Sequence, residues 1–304
     1  MQQLAVLIMR GPLAASLVCG VSLALGLLAP PLLAPLLAWL SGAALSLVVL
    51  RLGVVPGLQV AAFSLIPAVA VVVLVLGARP LGALILACVF WLPVLLLSIL
   101  LRQSASLSKT FAASAAMTVA GVACTYLLIA DPAAYWAEGI LSVMQLDELP
   151  AETQVTAGEL RTLVESISTF MTGMVGSVVM LGTLVSLMVA RYWQAALYNP
   201  GGFGESFRSL QFGKPVAMLA TLVGVIAVTL KLPVLVNAAP VLIMLFMFQG
   251  LAVMHWLVRE KGMNAYWLVG IYVLLIFLFL HTMVLLGALG IVDNWLNLRR
   301  KGKD

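Results

Sequence analysis

Long apolar runs are the feature that most limits what this chain can fold into. Nine of them follow one another, most close to the roughly 20 residues that an α-helix needs to cross a bilayer. They cover residues 13–29, 32–50, 54–76, 81–101, 110–130, 167–190, 215–230, 234–258 and 265–291. Charged residues make up only 9% of the sequence, against about 25% in soluble domains. The sequence therefore predicts an all-α, polytopic transmembrane helical bundle of nine spans.

Basic residues between the runs predict the orientation, because short loops rich in Lys and Arg stay in the cytoplasm. With the N-terminus inside, the inside loops hold nine basic residues and the outside loops hold three. The acidic loop 131–165 is then outside and the polar loop 191–214 is inside. Nine spans leave the basic tail, with Arg299 and Arg300, outside. Eight spans are the alternative, in which one of the last three runs does not cross.

These runs and loops also predict how the chain is divided. Residues 1–190 are expected to form a six-helix membrane core that includes the outside acidic loop. Residues 191–304 then supply the cytoplasmic loop, three further spans and the basic tail.

Two helix starts are predicted within the acidic loop 131–165. Asp131-Pro132 is a typical start, and the helix that follows is expected to lie along the membrane surface. Thr156 and Glu159 have the spacing of a capping box, so a second helix is expected to begin there and continue into the next span.

Small residues recur every four positions on three of the runs, a pattern that lets helix backbones approach closely in a bilayer. The three faces are Ser16, Gly20 and Ala24; Ala112, Ala116, Ala120 and Cys124; and Gly182, Ser186 and Ala190. Packing within the bundle is one interpretation. Docking of another membrane protein subunit is the other, so such subunits and the lipid bilayer are the expected partners.

Polar side chains within the runs are few, and each is a candidate for function because it is costly to place in lipid. Gln249 and His281 lie inside predicted spans, and His255 lies one turn before Arg259. His281 is expected to form a hydrogen bond within the core rather than to bind a ligand. No Asp or Glu is placed centrally in a run, which argues against an ion-driven pump.

The loop 191–214 is the most distinctive polar stretch. Its candidate ligand- or partner-binding residues are Arg191, Tyr192, Gln194, Asn199, Gly201, Gly202, Glu205 and Arg208. The sequence Asn199-Pro200-Gly201-Gly202 predicts a sharp turn. Arg191 and Trp193 are expected at the membrane interface, which both side chains favour. The glycine amides and basic side chains suit a phosphate, but a tight cap joining two helices explains the same residues.

Signatures of enzymes and metal sites are missing from the sequence. It has no HExxH, Walker or GxSxG motif, and no pair of aspartates within the runs. Cys19, Cys88 and Cys124 lie in apolar runs without a second ligand at metal spacing. No basic face with interleaved aromatic residues suggests nucleic acid as a partner. The sequence predicts a protein that is not an enzyme and has no metal or cofactor.

Three stretches carry a resemblance to a known family. They are RYWQAALYNPGGFGESFR at 191–208, FQGLAVMH at 248–255 and GIVDNW at 290–295. They resemble the YybS-like family of bacterial multispan membrane proteins. That family is distantly similar to the substrate-binding subunits of energy-coupling-factor vitamin transporters and to the rod-shape protein MreD. The resemblance implies a helical bundle in the bacterial cytoplasmic (inner) membrane, with the first six spans as the shared core, and implies no particular activity.

Two functions compete at this point. The protein is either a membrane-embedded subunit that binds a small solute or lipid, or a scaffold that recruits a protein through the loop 191–214. A buried cavity lined by Trp, Gln and His favours the first function. A bundle filled by its own side chains favours the second.

Overall fold

The fold consists of α-helices joined by short connections. The computed structural model describes residues 2–77, 79–144 and 157–299, and the regular elements in these ranges are thirteen helices. In chain order they are α1 (Gln2–Ile8), α2 (Pro12–Leu28), α3 (Ala34–Leu52), α4 (Val54–Leu74), α5 (Pro80–Ser104), α6 (Leu107–Leu128), α7 (Pro132–Met144), α8 (Ala157–Tyr198), α9 (Gly202–Arg208), α10 (Lys214–Leu230), α11 (Pro233–Glu260), α12 (Tyr266–Phe277) and α13 (Phe279–Leu296). The predicted all-α membrane bundle is confirmed.

Seven of the described helices are long and apolar enough to cross a membrane: α3, α4, α5, α6, α8, α11 and α13. Three apolar helices are shorter, namely α2, α10 and α12. The 17 residues of α10 rise only about 25 Å, less than the roughly 30 Å hydrocarbon core. That helix therefore needs thinned lipid or flanking protein if it is to cross.

The last predicted span, 265–291, is not one helix. Leu278 has φ −130° and ψ 47°, and this non-helical residue separates α12 from α13. With 12 residues, α12 rises about 18 Å and is too short to cross alone. The prediction of one continuous span is wrong here, because the sequence Phe277-Leu278-Phe279 has no glycine or proline to signal the break.

The acidic loop contains the first of its two predicted helices. The helix α7 begins at Pro132, and Asp131 Oδ1 accepts a hydrogen bond from the Ala134 N–H at 3.0 Å. The second predicted cap, at Thr156, lies outside the described residues, and the following helix α8 is described from Ala157.

The helices group into two compact units that interleave along the chain. The first unit comprises Met1–Ser114 and Val179–Gln211, and the second comprises Ala115–Val178 and Phe212–Asp304. The 42-residue helix α8 supplies residues to both units. The predicted division into residues 1–190 and 191–304 concerns the membrane topology and stays a prediction.

Small residues hold the helices of the first unit close together. The α2 face that contains Ser16 and Gly20 is buried against α4, where Ser64 Oγ donates to the Ser16 carbonyl oxygen at 3.1 Å. A methyl group on Gly20 would collide with the backbone of Ser64 and the ring of Pro67. This small face is used for packing within the unit.

The face of Gly182 and Ser186 on α8 is also used within the first unit. Ser186 Oγ donates to the Trp39 carbonyl oxygen at 3.0 Å, and it lies where a side chain on Gly42 would be. By contrast, Ala116 and Ala120 on α6 are exposed. The packing interpretation therefore holds for two of the three predicted faces, and the third remains open on the surface.

Candidate functional site

A small polar cavity lies in the first unit at the ends of α3, α5 and α8. Its volume is about 140 Å³, and its lining consists of Leu50, Leu101, Arg102, Ala105, Leu107, Arg191, Gln194 and Ser206. We call the four polar residues, Arg102, Arg191, Gln194 and Ser206, the arginine pocket. Two of them, Arg191 and Gln194, were predicted as binding residues from the sequence. The other two come from α5 and α9.

Arg102 occupies the pocket because it caps the end of α3. Its Nη1 donates to the carbonyl oxygens of Val49 at 3.1 Å and Leu50 at 2.9 Å. Gly53, with φ +111°, ends that helix, and the last carbonyls of a helix lack partners within it. These contacts use only Nη1, and the guanidinium makes no other hydrogen bond to the described residues. Nη2 and Nε are therefore available to a ligand.

Arg191 and Gln194 are placed by the last turns of α8. Arg191 Nη1 donates to Gln194 Oε1 at 2.7 Å, so the amide oxygen is occupied and the amide nitrogen is left as a donor. Ser206 Oγ donates to the Gly202 carbonyl oxygen at 2.7 Å, one turn earlier in α9. The free hydrogen-bonding capacity in the pocket consists mainly of donors.

The first unit as a whole is positively charged, and the two charged residues that line the pocket are both arginines. The first unit contains seven basic residues: Arg10, Arg51, Arg79, Arg102, Lys109, Arg191 and Arg208. It contains one acidic residue, Glu205, and no carboxylate lines the cavity. Among the described residues, neither Arg102 nor Arg191 pairs with Asp or Glu. Planar guanidinium groups with free donors suit a carboxylate or a phosphate.

The predicted turn in the polar loop is present. Gly201 has φ +89°, a conformation that glycine adopts without strain, and the Gly202 N–H donates to the Asn199 carbonyl oxygen at 3.1 Å. The helix α9 then begins at Gly202 and contains Glu205, which is exposed, and Arg208, which is half-buried. The turn therefore returns the chain so that α9 can add Ser206 to the pocket.

Aromatic side chains support this part of the loop. The rings of Tyr192 and Phe203 lie 6.1 Å apart edge to face, and Phe203 stacks with Phe207 at 6.1 Å. Phe203 and Phe207 share one face of α9, as their spacing predicts. Trp193, predicted at the membrane interface, is fully buried, and its indole N–H finds no acceptor among the described residues. The side chain of Trp193 packs into the protein, and its predicted depth at the membrane interface stays a prediction.

A second polar group lies in the second unit around Gln249, which is fully buried. Gln249 Nε2 donates to Asp293 Oδ2 at 2.8 Å, and Gln249 Oε1 accepts from the Phe212 N–H at 3.1 Å. Asp293 is also fully buried and forms an ion pair with Arg299. Asn294 completes what we call the Gln249 cluster: Gln249, Asp293, Asn294 and Arg299.

Asn294 binds the same segment of the chain. Its Oδ1 accepts from the Gly213 N–H at 2.9 Å, and its Nδ2 donates to the Gly290 carbonyl oxygen at 2.8 Å. Asp293 is not among the binding residues predicted from the sequence, because it lies two residues beyond the last predicted run. Two of the three family-like stretches, 248–255 and 290–295, therefore meet in the cluster.

The cluster bears on the topology, because it brings the start of the basic tail to the end of the polar loop. Arg299 binds Asp293, which binds Gln249, which accepts from Phe212. With nine crossings, Phe212 and Arg299 would lie on opposite sides of the bilayer. The contacts favour the eight-span alternative, in which one of the last three runs does not cross.

The two histidines that the sequence singled out lie in the second unit. His255 Nε2 is 2.8 Å from Tyr272 Oη. His281 lies in the first turn of α13 and is exposed. The expectation of a hydrogen-bonded core histidine is wrong, because the break at Leu278 moves His281 to a helix start at the surface. Neither histidine belongs to the Gln249 cluster or to the arginine pocket.

Asn237 is a polar residue that sequence reasoning missed, although it lies in the run 234–258. It is fully buried in the second unit. Its Oδ1 accepts from the Gly173 N–H at 2.7 Å, and its Nδ2 donates to the Thr169 carbonyl oxygen at 2.8 Å and to Tyr126 Oη at 2.8 Å. Thr169 and Gly173 form one i, i+4 pair of α8, so a single side-chain amide bridges both backbone groups.

The helices and their composition define a multi-pass membrane protein. The family described as "Predicted membrane protein (DUF2232)" matches residues 19–294, and the chain belongs to this family. No curated protein and no solved structure matches the chain. The family description agrees with the predicted membrane class and names no ligand or partner. The likeness to YybS-like proteins, to transporter subunits and to MreD stays a prediction.

Proposed function

We propose that the chain is a membrane-embedded binding protein, which holds the anionic group of a small solute or lipid in the arginine pocket. The observation that carries this proposal is a cavity faced by two guanidinium groups and an amide donor but by no carboxylate. Arg102 is exposed and Arg191 is half-buried, so an anion can reach both guanidinium groups, and neither has a counter-charge among the described residues. A bound anion supplies that counter-charge. The bacterial inner membrane is the compartment we propose for this activity.

The size of the cavity limits what it holds. Its volume of about 140 Å³ lies below the roughly 300–1,000 Å³ of sites for drug-sized ligands. A charged group fits, whereas a whole vitamin-sized molecule does not. The proposal also differs from the deep site lined by Trp, Gln and His that the sequence suggested. Gln249 is already hydrogen-bonded at both ends of its amide.

Native mass spectrometry of the gently purified protein tests the proposal. We expect the wild type to carry a bound anionic molecule that the double variant Arg102→Gln/Arg191→Gln loses. Arg10→Gln is the matched control, because Arg10 is an exposed arginine of the same unit outside the cavity lining. Equal occupancy in wild type and double variant would rule out this site.

A second function, that of a scaffold or assembly subunit, is favoured by the open face of α6. Ala116, Ala120 and Cys124 are exposed at four-residue spacing, the pattern that lets another membrane helix pack closely. Ala120→Phe should then reduce the size of the complex on a native gel. Leu127→Phe is the control, since Leu127 is 84% exposed on the same helix. An unchanged complex in Ala120→Phe would count against this function.

A further inference from the structure

We infer that the arginine pocket receives the phosphate of a membrane amphiphile, with the headgroup in the cavity and the acyl chains outside it. This inference rests on the proposed function and specifies its ligand. It depends on three features of the site: the number and direction of the free donors, the volume of the cavity, and the apolar surface that begins beside it.

The donors come from two helices and exceed what a carboxylate needs. One guanidinium fork is enough to bind both oxygens of a carboxylate. Here Arg102 on α5 and Arg191 on α8 both line the cavity, and the Gln194 amide nitrogen adds a further donor. The phosphate of a lipid diester has two ionised oxygens and two ester oxygens in a tetrahedral arrangement, whereas the two oxygens of a carboxylate lie in one plane. Such an arrangement can accept from separate directions at once, so the site matches phosphate better.

The volume allows only part of an amphiphile to enter. A volume of about 140 Å³ is close to that of a cavity of about 150 Å³ that holds one benzene molecule, so it takes a group of phosphate size and little more. The rest of the ligand must lie beyond the lining residues. For a soluble phosphate ester the rest would need polar contacts, and for a lipid it would need apolar surface.

Apolar surface begins directly beside the cavity. Leu50 is a lining residue, and Leu52, Val55 and Leu58 follow it with exposures of 49%, 66% and 52%. In a membrane protein, side chains of this kind face acyl chains. The connection from α3 to α4 therefore continues from the cavity lining to a surface suited to the apolar part of a lipid.

A neighbouring contact marks the same end of the unit as headgroup level. The Arg51 guanidinium lies over the Tyr198 ring, 3.9 Å from its centroid. Arginine and tyrosine both favour the membrane–water interface, where anionic headgroups attract basic side chains. A phosphate held by Arg102 and Arg191 would then be at the depth where lipid phosphates already lie.

The test uses delipidated full-length protein in detergent, titrated and followed by native mass spectrometry. The probes are dioleoylphosphatidylglycerol, oleate and inorganic phosphate. We expect the wild type to bind the phospholipid most tightly. Arg102→Gln/Arg191→Gln should raise the Kd about tenfold or more, because charge-assisted hydrogen bonds are lost. Arg10→Gln should keep the wild-type Kd. If the double variant does not fold, Arg191→Gln replaces it, since Arg191 caps no helix end.

The probes separate the ways in which the inference can fail. Equally tight, arginine-dependent binding of oleate would show a carboxylate site, which overturns the phosphate assignment but leaves the proposed function intact. Equally tight binding of inorganic phosphate would overturn the assignment to an amphiphile. Binding that is independent of both arginines for every probe would overturn the inference and the proposed function together.

Discussion

The arginine pocket and the Gln249 cluster contain the same kinds of side chain and differ in how these are satisfied. In the cluster, Asp293 neutralises Arg299, and both ends of the Gln249 amide are hydrogen-bonded. In the pocket, Arg102 and Arg191 have no carboxylate partner among the described residues, and each uses only one nitrogen in a described hydrogen bond. The protein itself neutralises the arginine of the cluster, and no described carboxylate neutralises the arginines of the pocket.

This difference separates polar residues that stabilise the fold from those suited to binding. A buried polar group costs little when its partners are present and much when one is removed. The cluster therefore predicts large losses of stability on mutation. The pocket predicts small losses of stability and a large loss of ligand.

The largest expected effect is in side-specific cysteine labelling, because each cysteine reacts from one side of the membrane or from the other. The cluster puts the end of the polar loop and the start of the tail together, so Gln211→Cys and Leu298→Cys should react from the same side of the membrane. Each variant is made in a background without Cys19, Cys88 and Cys124. Labelling from opposite sides would restore nine crossings and contradict the cluster.

The next largest effect is expected from adding a side chain at Gly250, where α11 contacts α13 beside the Gln249 cluster. A side chain on Gly250 would collide with the Leu286 carbonyl oxygen of α13, so Gly250→Val should cost about 5 kcal/mol or more. Gly270→Val is the control, because no atom lies within 4 Å of a methyl group placed there. Unfolding in mixed SDS micelles measures both variants. Equal stability would mean that α11 and α13 do not pack closely.

Removing the buried carboxylate tests the cluster itself. Asp293→Leu removes the carboxylate that Arg299 and the Gln249 amide nitrogen bind, so it should cost about 3–5 kcal/mol of unfolding free energy. Glu205→Leu removes the exposed carboxylate of the first unit and serves as the control. A cost below that of the control would show that the buried ion pair is not formed.

Removing the side-chain amide of Asn237, which bridges Gly173 and Thr169 of α8, should have a smaller effect. Asn237→Leu leaves the Gly173 N–H and the Thr169 carbonyl free to pair within α8, so much of the loss is recovered. We expect a cost of about 1–3 kcal/mol. Asn264→Leu in the same unit is the comparison, since it removes one exposed hydrogen bond, from the Tyr266 N–H, and should cost less. If Asn237→Leu is as stable as the wild type, the bridge contributes nothing to the fold.

Most of the fold follows from local features of the sequence. Run length predicts the helices, and Gly201-Gly202 predicts the turn before α9. The break at Leu278 was missed because it lies between phenylalanines, where no residue signals a break. The sequence predicts two of the four residues of the arginine pocket. Arg191 and Gln194 are one turn apart, whereas Arg102 is 89 positions earlier and joins them only through tertiary packing.

If an anionic lipid completes the arginine pocket, that lipid should stabilise the folded protein. The most direct test is the change in Tm when dioleoylphosphatidylglycerol is added to the detergent-purified protein. Binding to the folded state at a hundredfold excess over Kd stabilises it by about 2.7 kcal/mol. We expect a clear rise in Tm for the wild type and for Arg10→Gln, and a much smaller rise for Arg102→Gln/Arg191→Gln, whose Kd is about tenfold higher or more. The same rise in all three proteins would contradict this expectation.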